Sequence, residues 1–114
     1  DALRDEACTV TVAAPTFLRP VLKRAEPADL RHLKVLVTGA EKLPTDLYEL
    51  CLEKFHLEIQ QGYGLTETSP VLGVNQPHPP LVAATNDPQP GGRFGSIGRL
   101  LPGIAARITD PQTG

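Results

Sequence analysis

The alternation of short strand-like runs with helical patterns over the first two-thirds of the chain most constrains the fold. Strands are predicted at residues 9–14, 33–38 and 57–61. Helices are predicted to follow Thr16, through about residue 26, and Thr45, through about residue 55, the second with apolar side chains at i, i+1, i+4, i+5 and i+8. Elements that alternate in this way form parallel strands with right-handed crossovers. We therefore predict an α/β fold, a βαβαβ unit with a mostly parallel sheet.

Three residues set the expected starts of the two helices. Thr16 and Thr45 precede the helical patterns, where a threonine hydroxyl can accept a hydrogen bond from a free backbone N–H. Pro20 is expected in the first turn of the first helix, where its missing N–H costs little. Both threonines are therefore predicted as helix caps.

The rest of the chain predicts additional β-strands around a long loop. Strands are expected at residues 70–75, 96–101 and 104–109. Residues 76–92 are rich in Pro, Asn, Asp and Gly and lack periodicity, which predicts a flexible surface loop. We divide the single domain of residues 1–114 into a βαβαβ part, the loop and a β-strand segment, at residues 1–75, 76–92 and 93–114. We expect the whole to be a fragment of a larger domain.

Composition excludes several classes of function. The formal net charge is −2, with acidic and basic residues interspersed, so we expect no nucleic-acid partner. No apolar run approaches the length that a bilayer-spanning helix needs. The two cysteines, Cys8 and Cys51, match no metal-ligand spacing, and we expect both to be reduced structural thiols.

The segment from Gln61 to Pro70 carries the most chemistry. Gly62 and Gly64 flank Tyr63, so the backbone can turn sharply and approach a flat ligand there. A tyrosine ring can stack on a base, the Thr66 hydroxyl can donate to a phosphate oxygen, and the adjacent carboxylate of Glu67 can ligate Mg²⁺. The alternatives are a core tyrosine, a threonine that caps a turn and a solvated glutamate. We predict a nucleotide and metal site.

A second loop should meet this segment. Residues 38–43 follow the second predicted strand directly, as residues 62–67 follow the third. Ligands of parallel sheets bind at the carboxyl ends of the strands, where such loops gather. The pattern therefore places both loops at one edge of the sheet.

Three segments carry a resemblance to a known family. The segments are Thr-Gly-Ala-Glu-Lys-Leu-Pro at residues 38–44, Gln-Gly-Tyr-Gly-Leu-Thr-Glu-Thr-Ser-Pro at 61–70 and Pro-Gly-Gly-Arg-Phe-Gly-Ser-Ile-Gly-Arg-Leu-Leu-Pro-Gly at 90–103. In this order they resemble signatures of the adenylate-forming (AMP-binding) enzymes. Their variants look most like those of bacterial acyl-acyl carrier protein synthetase/2-acylglycerophosphoethanolamine acyltransferases, and nearly as much like long-chain acyl-CoA synthetases.

The resemblance implies roles for individual residues. It implies that Thr66 and Glu67 are catalytic and that Glu67 binds the metal. The ATP- or AMP-binding residues that it implies are Gly39, Ala40, Glu41, Gly62, Tyr63, Gly64, Leu65 and Thr66. The acyl pocket that it implies is formed by Val37, Thr38, Ser69, Pro70 and Val71.

The resemblance also implies an activity for the parent protein. With ATP and Mg²⁺, the parent would form acyl-AMP from a fatty acid and transfer the acyl group to CoA or to the phosphopantetheine of an acyl carrier protein. We expect the parent in the cytoplasm, with an association with the inner face of the membrane left open. The family's phosphate loop and distal lysine are not in this sequence, so we expect the fragment alone to be inactive.

Two alternatives stay open at this stage. The chain could be a non-catalytic nucleotide-binding or interaction module, or part of an amino-acid adenylation domain. Acyl chain length and the choice of acceptor are not determined by the sequence.

Because a βαβ unit is normally covered on both faces, we also expect the isolated chain to self-associate through Val10, Val12 and residues 35–37.

Overall fold

The computed structural model describes residues 2–77 and 91–114. Two main helices and five strands form the body of this part of the chain. The helices are α1 (Ala2–Asp5), α2 (Pro15–Arg24) and α3 (Thr45–Phe55), with 3₁₀ turns at Pro27–Leu30 and Thr66–Thr68. The strands are β1 (Val10–Val12), β2 (Val35–Thr38), β3 (Ile59–Gly64), β4 (Val71–Val74) and β5 (Arg99–Leu100).

The strands form one five-stranded sheet in the order β1-β2-β3-β4-β5. The first three strands are parallel, with Val12 opposite Val37 and Thr38 opposite Gln61. Strands β4 and β5 are added in antiparallel orientation. The predicted α/β fold, a βαβαβ unit followed by additional strands, is confirmed. The β2–α3 loop and the end of β3 consequently lie side by side at one edge.

The core lies between the sheet and helices α2 and α3. Leu36 of β2 and Ile59 of β3 are register partners and point toward these helices. Because successive strand residues point to opposite faces, their neighbours lie on the other side of the sheet. The buried apolar residues of the core are Leu18, Leu22, Ala25, Leu30, Leu36, Leu43, Leu47, Cys51 and Ile59.

The prediction that Thr16 and Thr45 cap the helices is wrong. The N-cap positions are occupied by Ala14 and Pro44, neither of which makes a side-chain cap. Pro15 is the first residue of α2, where the fixed φ of proline suits a helix and its missing N–H costs nothing. Pro20 is therefore the sixth residue of α2 rather than part of its first turn.

The strands differ from the prediction in their bounds, most of them being shorter, and one predicted strand is absent. Strand β3 continues to Gly64, beyond the predicted end at Gln61, because β4 supplies an antiparallel neighbour with Gly62 opposite Val74. The strand predicted at residues 104–109 is absent: these residues are described, and none of them is in regular secondary structure. No neighbouring strand in the described part of the chain pairs with them, and Ile108 is fully exposed.

Two further expectations concern the long loop and membrane-spanning helices. Most of the loop predicted at residues 76–92 lies at 78–90, outside the described residues. Within residues 2–77 and 91–114, no helix is both long enough and apolar enough to cross a bilayer.

Candidate functional site

An open groove of about 540 Å³ lies at the carboxyl ends of the parallel strands. Its position follows from the topology, since β2 and β3 end side by side and the loops after them border the same space. Val12, on the sheet face opposite the helices, is 70% exposed and contributes to its wall. The lining residues are Val12, Ala13, Ala14, Val37, Thr38, Gly39, Ala40, Gly62, Tyr63, Gly64, Leu65, Thr66, Pro70, Val71 and Val74.

Most residues predicted for the site from the sequence border this groove, and three do not. From the two predicted loops, Gly39, Ala40 and the run from Gly62 to Thr66 line it together. From the predicted acyl pocket, Val37, Thr38, Pro70 and Val71 line it as well. Glu41, Glu67 and Ser69 are exposed residues outside the lining. The groove thus unites the predicted nucleotide and acyl residues.

Tyr63 is held at the groove by strand β3. Its side chain is 43% exposed, which leaves ring surface available for stacking. The expected sharp turn at the flanking glycines is wrong, because Gly62 and Gly64 are both part of the extended strand. Gly64 is required for another reason: a Cβ there would overlap the carbonyl oxygen of Pro70 beside a register shift in the hairpin. At Gly62 a Cβ would meet its nearest neighbours at 3.7 Å, an ordinary contact.

A 3₁₀ turn presents Thr66 and Glu67 just beyond the end of β3. Its geometry is fixed by Thr68, whose hydroxyl accepts from the Leu65 N–H at 3.0 Å and lies 2.8 Å from the Leu65 carbonyl oxygen and 3.1 Å from that of Pro70. Thr68 was not among the residues predicted from the sequence. The signal that could have identified it is the tendency of threonine hydroxyls to bond nearby backbone groups in turns.

Glu67 is the candidate metal ligand at the rim of the groove. It lies in the middle of the 3₁₀ turn and is exposed, with no hydrogen bond or ion pair to any described residue. The described residues contain no group of three or more His, Cys, Asp or Glu side chains that could hold a metal ion. A single carboxylate suits Mg²⁺, which is commonly held by one or two carboxylates together with substrate phosphates.

The loop between β2 and α3 forms the opposite rim. Ala40 adopts a left-handed conformation with φ of 67°, which is uncommon for a residue with a Cβ. Glu41 does not line the groove; its carboxylate oxygens lie 2.8 and 3.0 Å from the hydroxyl of Thr16 in α2. The groove is therefore bordered here by Gly39 and Ala40, while Glu41 bonds elsewhere.

The remaining wall of the groove is apolar. Val37, Pro70, Val71 and Val74 line it, and no charged side chain is among its lining residues in the part of the chain that the structure describes. Thr38 also borders the groove, but its hydroxyl is buried without a hydrogen-bond partner among the described residues. By strand alternation Thr38 shares the helix-side face with Leu36, so it borders the groove mainly through its backbone.

Asn75 is a second residue that the sequence did not reveal. Its amide nitrogen donates to the carbonyl oxygens of Ser96 at 2.7 Å and Gln61 at 3.3 Å. Its side-chain oxygen accepts from the Arg93 N–H at 2.9 Å and from the Ser96 hydroxyl at 3.2 Å. Because Asn75 is buried and bonds through both ends of its amide, it fixes Gln61 immediately before Gly62.

Helices α2 and α3, away from the groove, contain groups whose pKa is shifted. Burial raises the pKa of the Cys51 thiol in α3 to about 11. The hydrogen bond from Arg19 lowers the pKa of the Asp46 carboxyl, which is on the surface where α2 and α3 meet. These shifts report on the packing of the two helices rather than on acid–base chemistry at the groove.

Comparison with known proteins decides the family. The sequence profile of the AMP-binding enzymes matches residues 1–114. The chain belongs to the AMP-binding enzyme family. It is 33% identical over 116 residues to the luciferin 4-monooxygenase of Photuris pensylvanica, over 99% of this chain and 19% of that protein. It is 36% identical over 109 residues to 4-coumarate–CoA ligase-like 5 of Oryza sativa subsp. japonica, over 93% and 18% of the two chains.

A solved structure supports the same membership. ATP-bound MatB from Rhodopseudomonas palustris matches with a TM-score of 0.75 and 27% identity, over 100% of this chain and 21% of that chain. The chain therefore spans about one fifth of the length of the curated relatives it matches. The predicted family is confirmed, whereas the finer resemblance to acyl-acyl carrier protein synthetases stays a prediction.

Proposed function

We propose that this chain forms part of the active site of an ATP-dependent acyl-activating enzyme. The complete protein would join a carboxylic acid to ATP, giving acyl-AMP and pyrophosphate, and then pass the acyl group to a thiol. One observation carries the proposal: a single groove joins Tyr63, Thr66 and the Gly39–Ala40 rim to an apolar wall. An acyl adenylate has the same two halves, a nucleotide and an acyl chain.

The nucleotide half would occupy the end of the groove between the two loops. The half-exposed ring of Tyr63 is available to stack on adenine, and the main chain at Gly39 and Ala40 borders the same space. The Thr66 hydroxyl at the rim can donate to the α-phosphate. Donors fixed before the reaction stabilise the charge that develops on phosphate oxygens without reorganising.

Glu67 would hold Mg²⁺ beside these phosphates. Its exposed carboxylate has no competing protein partner among the described residues, and it follows Thr66 directly. When bound, Mg²⁺ offsets the negative charge of the phosphate oxygens as the carboxylate substrate approaches. The contribution of Glu67 is to place a hard oxygen donor at the rim, in a turn that Thr68 holds in shape.

The acyl half would lie along Val37, Pro70 and Val71. We propose a fatty acid as the substrate, because these walls are apolar and carry no charge among the described residues. The acceptor would be CoA or the phosphopantetheine of an acyl carrier protein, in agreement with the resemblance of the motifs. The names of the relatives indicate that aryl acids such as 4-coumarate are the alternative substrate class. We also propose a cytoplasmic enzyme, with action at the inner face of the membrane as a further possibility.

Two other functions are less well supported. A non-catalytic nucleotide-binding module has no need for a metal ligand, yet Glu67 stands beside the groove with its carboxylate available. An amino-acid adenylation domain would need an acidic group for the substrate ammonium, which the family usually supplies from outside the segment that this chain covers; the apolar wall of Val37, Pro70 and Val71 favours an apolar acyl group.

ATP–pyrophosphate exchange by the complete protein tests the proposal. The assay compares a long-chain fatty acid, 4-coumaric acid and a panel of amino acids at saturating Mg²⁺. We expect exchange with the fatty acid above that with the other acids, and none by residues 1–114 alone. Exchange with amino acids only, or no exchange with any acid, would refute the proposed function. Preference for 4-coumaric acid would refute only the substrate class.

A further inference from the structure

The loop that joins β2 to α3 lacks the bonds that usually fix a loop. Ala40 holds a left-handed conformation, and the structure must stabilise such a conformation in a residue that has a Cβ. Among the described residues, the main chain of residues 40–42 makes no hydrogen bond. Leu43 is buried in the core and anchors the far end of the loop, three residues after Ala40.

One side-chain contact ties the middle of this loop to a helix. The Thr16 hydroxyl donates to the Glu41 carboxylate, with distances of 2.8 and 3.0 Å to its two oxygens. Thr16 is the second residue of α2, and α2 is itself bound to the start of α3 by two hydrogen bonds between Arg19 and Asp46, one of 3.0 Å. The partner of Glu41 therefore belongs to a helix that is packed on the core.

We propose that Thr16 and Glu41 form a latch that holds the nucleotide-binding rim in shape, so that Glu41 is a positioning residue. This inference rests on the proposed function. With Glu41 bonded to Thr16, Gly39 and Ala40 line the groove and Glu41 does not. Without it, residues 40–42 would have no polar contact to the described part of the chain, and the rim would sample other conformations before ATP binds.

Kinetics of matched variants in the complete protein test the latch. Thr16→Val keeps the shape of the side chain and removes the hydroxyl donor, while Thr16→Ser restores the donor. Thr45→Val is the control, because Thr45 is exposed and its hydroxyl makes no hydrogen bond to any described residue. We expect Thr16→Val to raise KM for ATP about 3- to 10-fold, the equivalent of one hydrogen bond, with kcat nearly unchanged. Thr16→Ser and Thr45→Val should match the unmodified protein.

Trypsin cleavage after Lys42 supplies a measurement that needs no nucleotide. Lys42 is exposed in the same loop, so release of the latch should speed cleavage there in Thr16→Val and not in Thr45→Val. Faster cleavage together with a raised KM supports the proposal. If Thr16→Val is cleaved faster but has the same KM for ATP as Thr45→Val, the proposal is overturned. It is also overturned if Thr16→Val equals Thr45→Val in both its KM for ATP and its cleavage rate. If the unmodified protein performs no ATP-dependent exchange, the proposed function fails and the positioning role fails with it. A faster cleavage in Thr16→Val would then show a purely structural contact.

Discussion

The helix-covered face of the sheet and the groove face are built from the same strands but are covered very differently. On the helix side, Leu36 is 1% exposed, and Leu47 and Cys51 are fully buried. On the opposite face, Val10 and Val12 of β1 are 56% and 70% exposed, and at the strand end beyond the helices Tyr63 is 43% exposed. Hydrophobic burial, the main stabilising term in folding, is thus concentrated on one face. The candidate nucleotide residues lie at the strand ends, beyond the helices, so substitutions in the core and at the groove should affect different properties.

Truncation of Leu47 should give the largest loss of stability. Removal of a fully buried leucine costs about 2–5 kcal/mol, because both transfer energy and packing are lost. Leu47→Ala should therefore lower the free energy of unfolding by this amount in urea titrations, while Leu52→Ala, on the exposed side of the same helix, should cost far less. Equal effects would mean that the helix-covered face is not the centre of stability.

Glu67→Gln should have the converse effect, with a large loss of activity and little change in stability. The substitution keeps the shape of the side chain and removes the charge that would bind Mg²⁺. Loss of a well-placed electrostatic stabiliser slows reactions by about 10²–10³-fold. Acyl-AMP formation by the complete protein should fall by this factor, whereas Glu53→Gln, an exposed change on α3, should have no effect. A rate within threefold of the original at saturating Mg²⁺ would exclude Glu67 as the ligand.

The two faces also differ in how well the sequence predicted them. The helix-covered face follows from local patterns, and helix Thr45–Phe55 ends at the predicted residue. The two predicted loops border one groove because the ends of parallel strands lie side by side. Its details depend on long-range pairing: the continuation of β3 to Gly64 requires β4, and the hydrogen bonds of Asn75 join residues 14 to 21 positions apart. Neither periodicity nor composition contains such information.

Alkaline pH should destabilise the protein through Cys51. Burial raises the thiol pKa from 9.0 to about 11, so the folded state keeps its proton where the unfolded state loses it. This contribution to stability is complete below pH 9 and is lost as pH rises toward 11, by about 2–3 kcal/mol. Cys51→Ala should lower stability at neutral pH through lost packing but should flatten the decline above pH 9. An equally steep decline in Cys51→Ala would assign the effect to other groups, such as Tyr48, whose pKa is also raised by burial.

Self-association is the weakest expected effect of the open face. Val10 and Val12 are exposed on the edge strand β1, and unpaired edges with apolar side chains recruit other chains. Of the residues 35–37 expected to contribute, Leu36 is excluded because it is buried under the helices. Sedimentation of residues 1–114 should show reversible dimers at high micromolar concentration, reduced in Val12→Thr. A clean monomer at that concentration would contradict the expectation.

A nuclear magnetic resonance titration of residues 1–114 with Mg-ATP tests the central claim most directly, because it reports on both faces of the sheet in one experiment. We predict progressive amide shifts at Gly39, Ala40 and residues 62–66, with a dissociation constant in the millimolar range that corresponds to about 4 kcal/mol of binding free energy. The amides of Leu47 and Cys51, on the helix-covered face, should not move. Shifts confined to the helix-covered face, or no shift at the groove at any ATP concentration, would contradict the assignment of the groove as the nucleotide site.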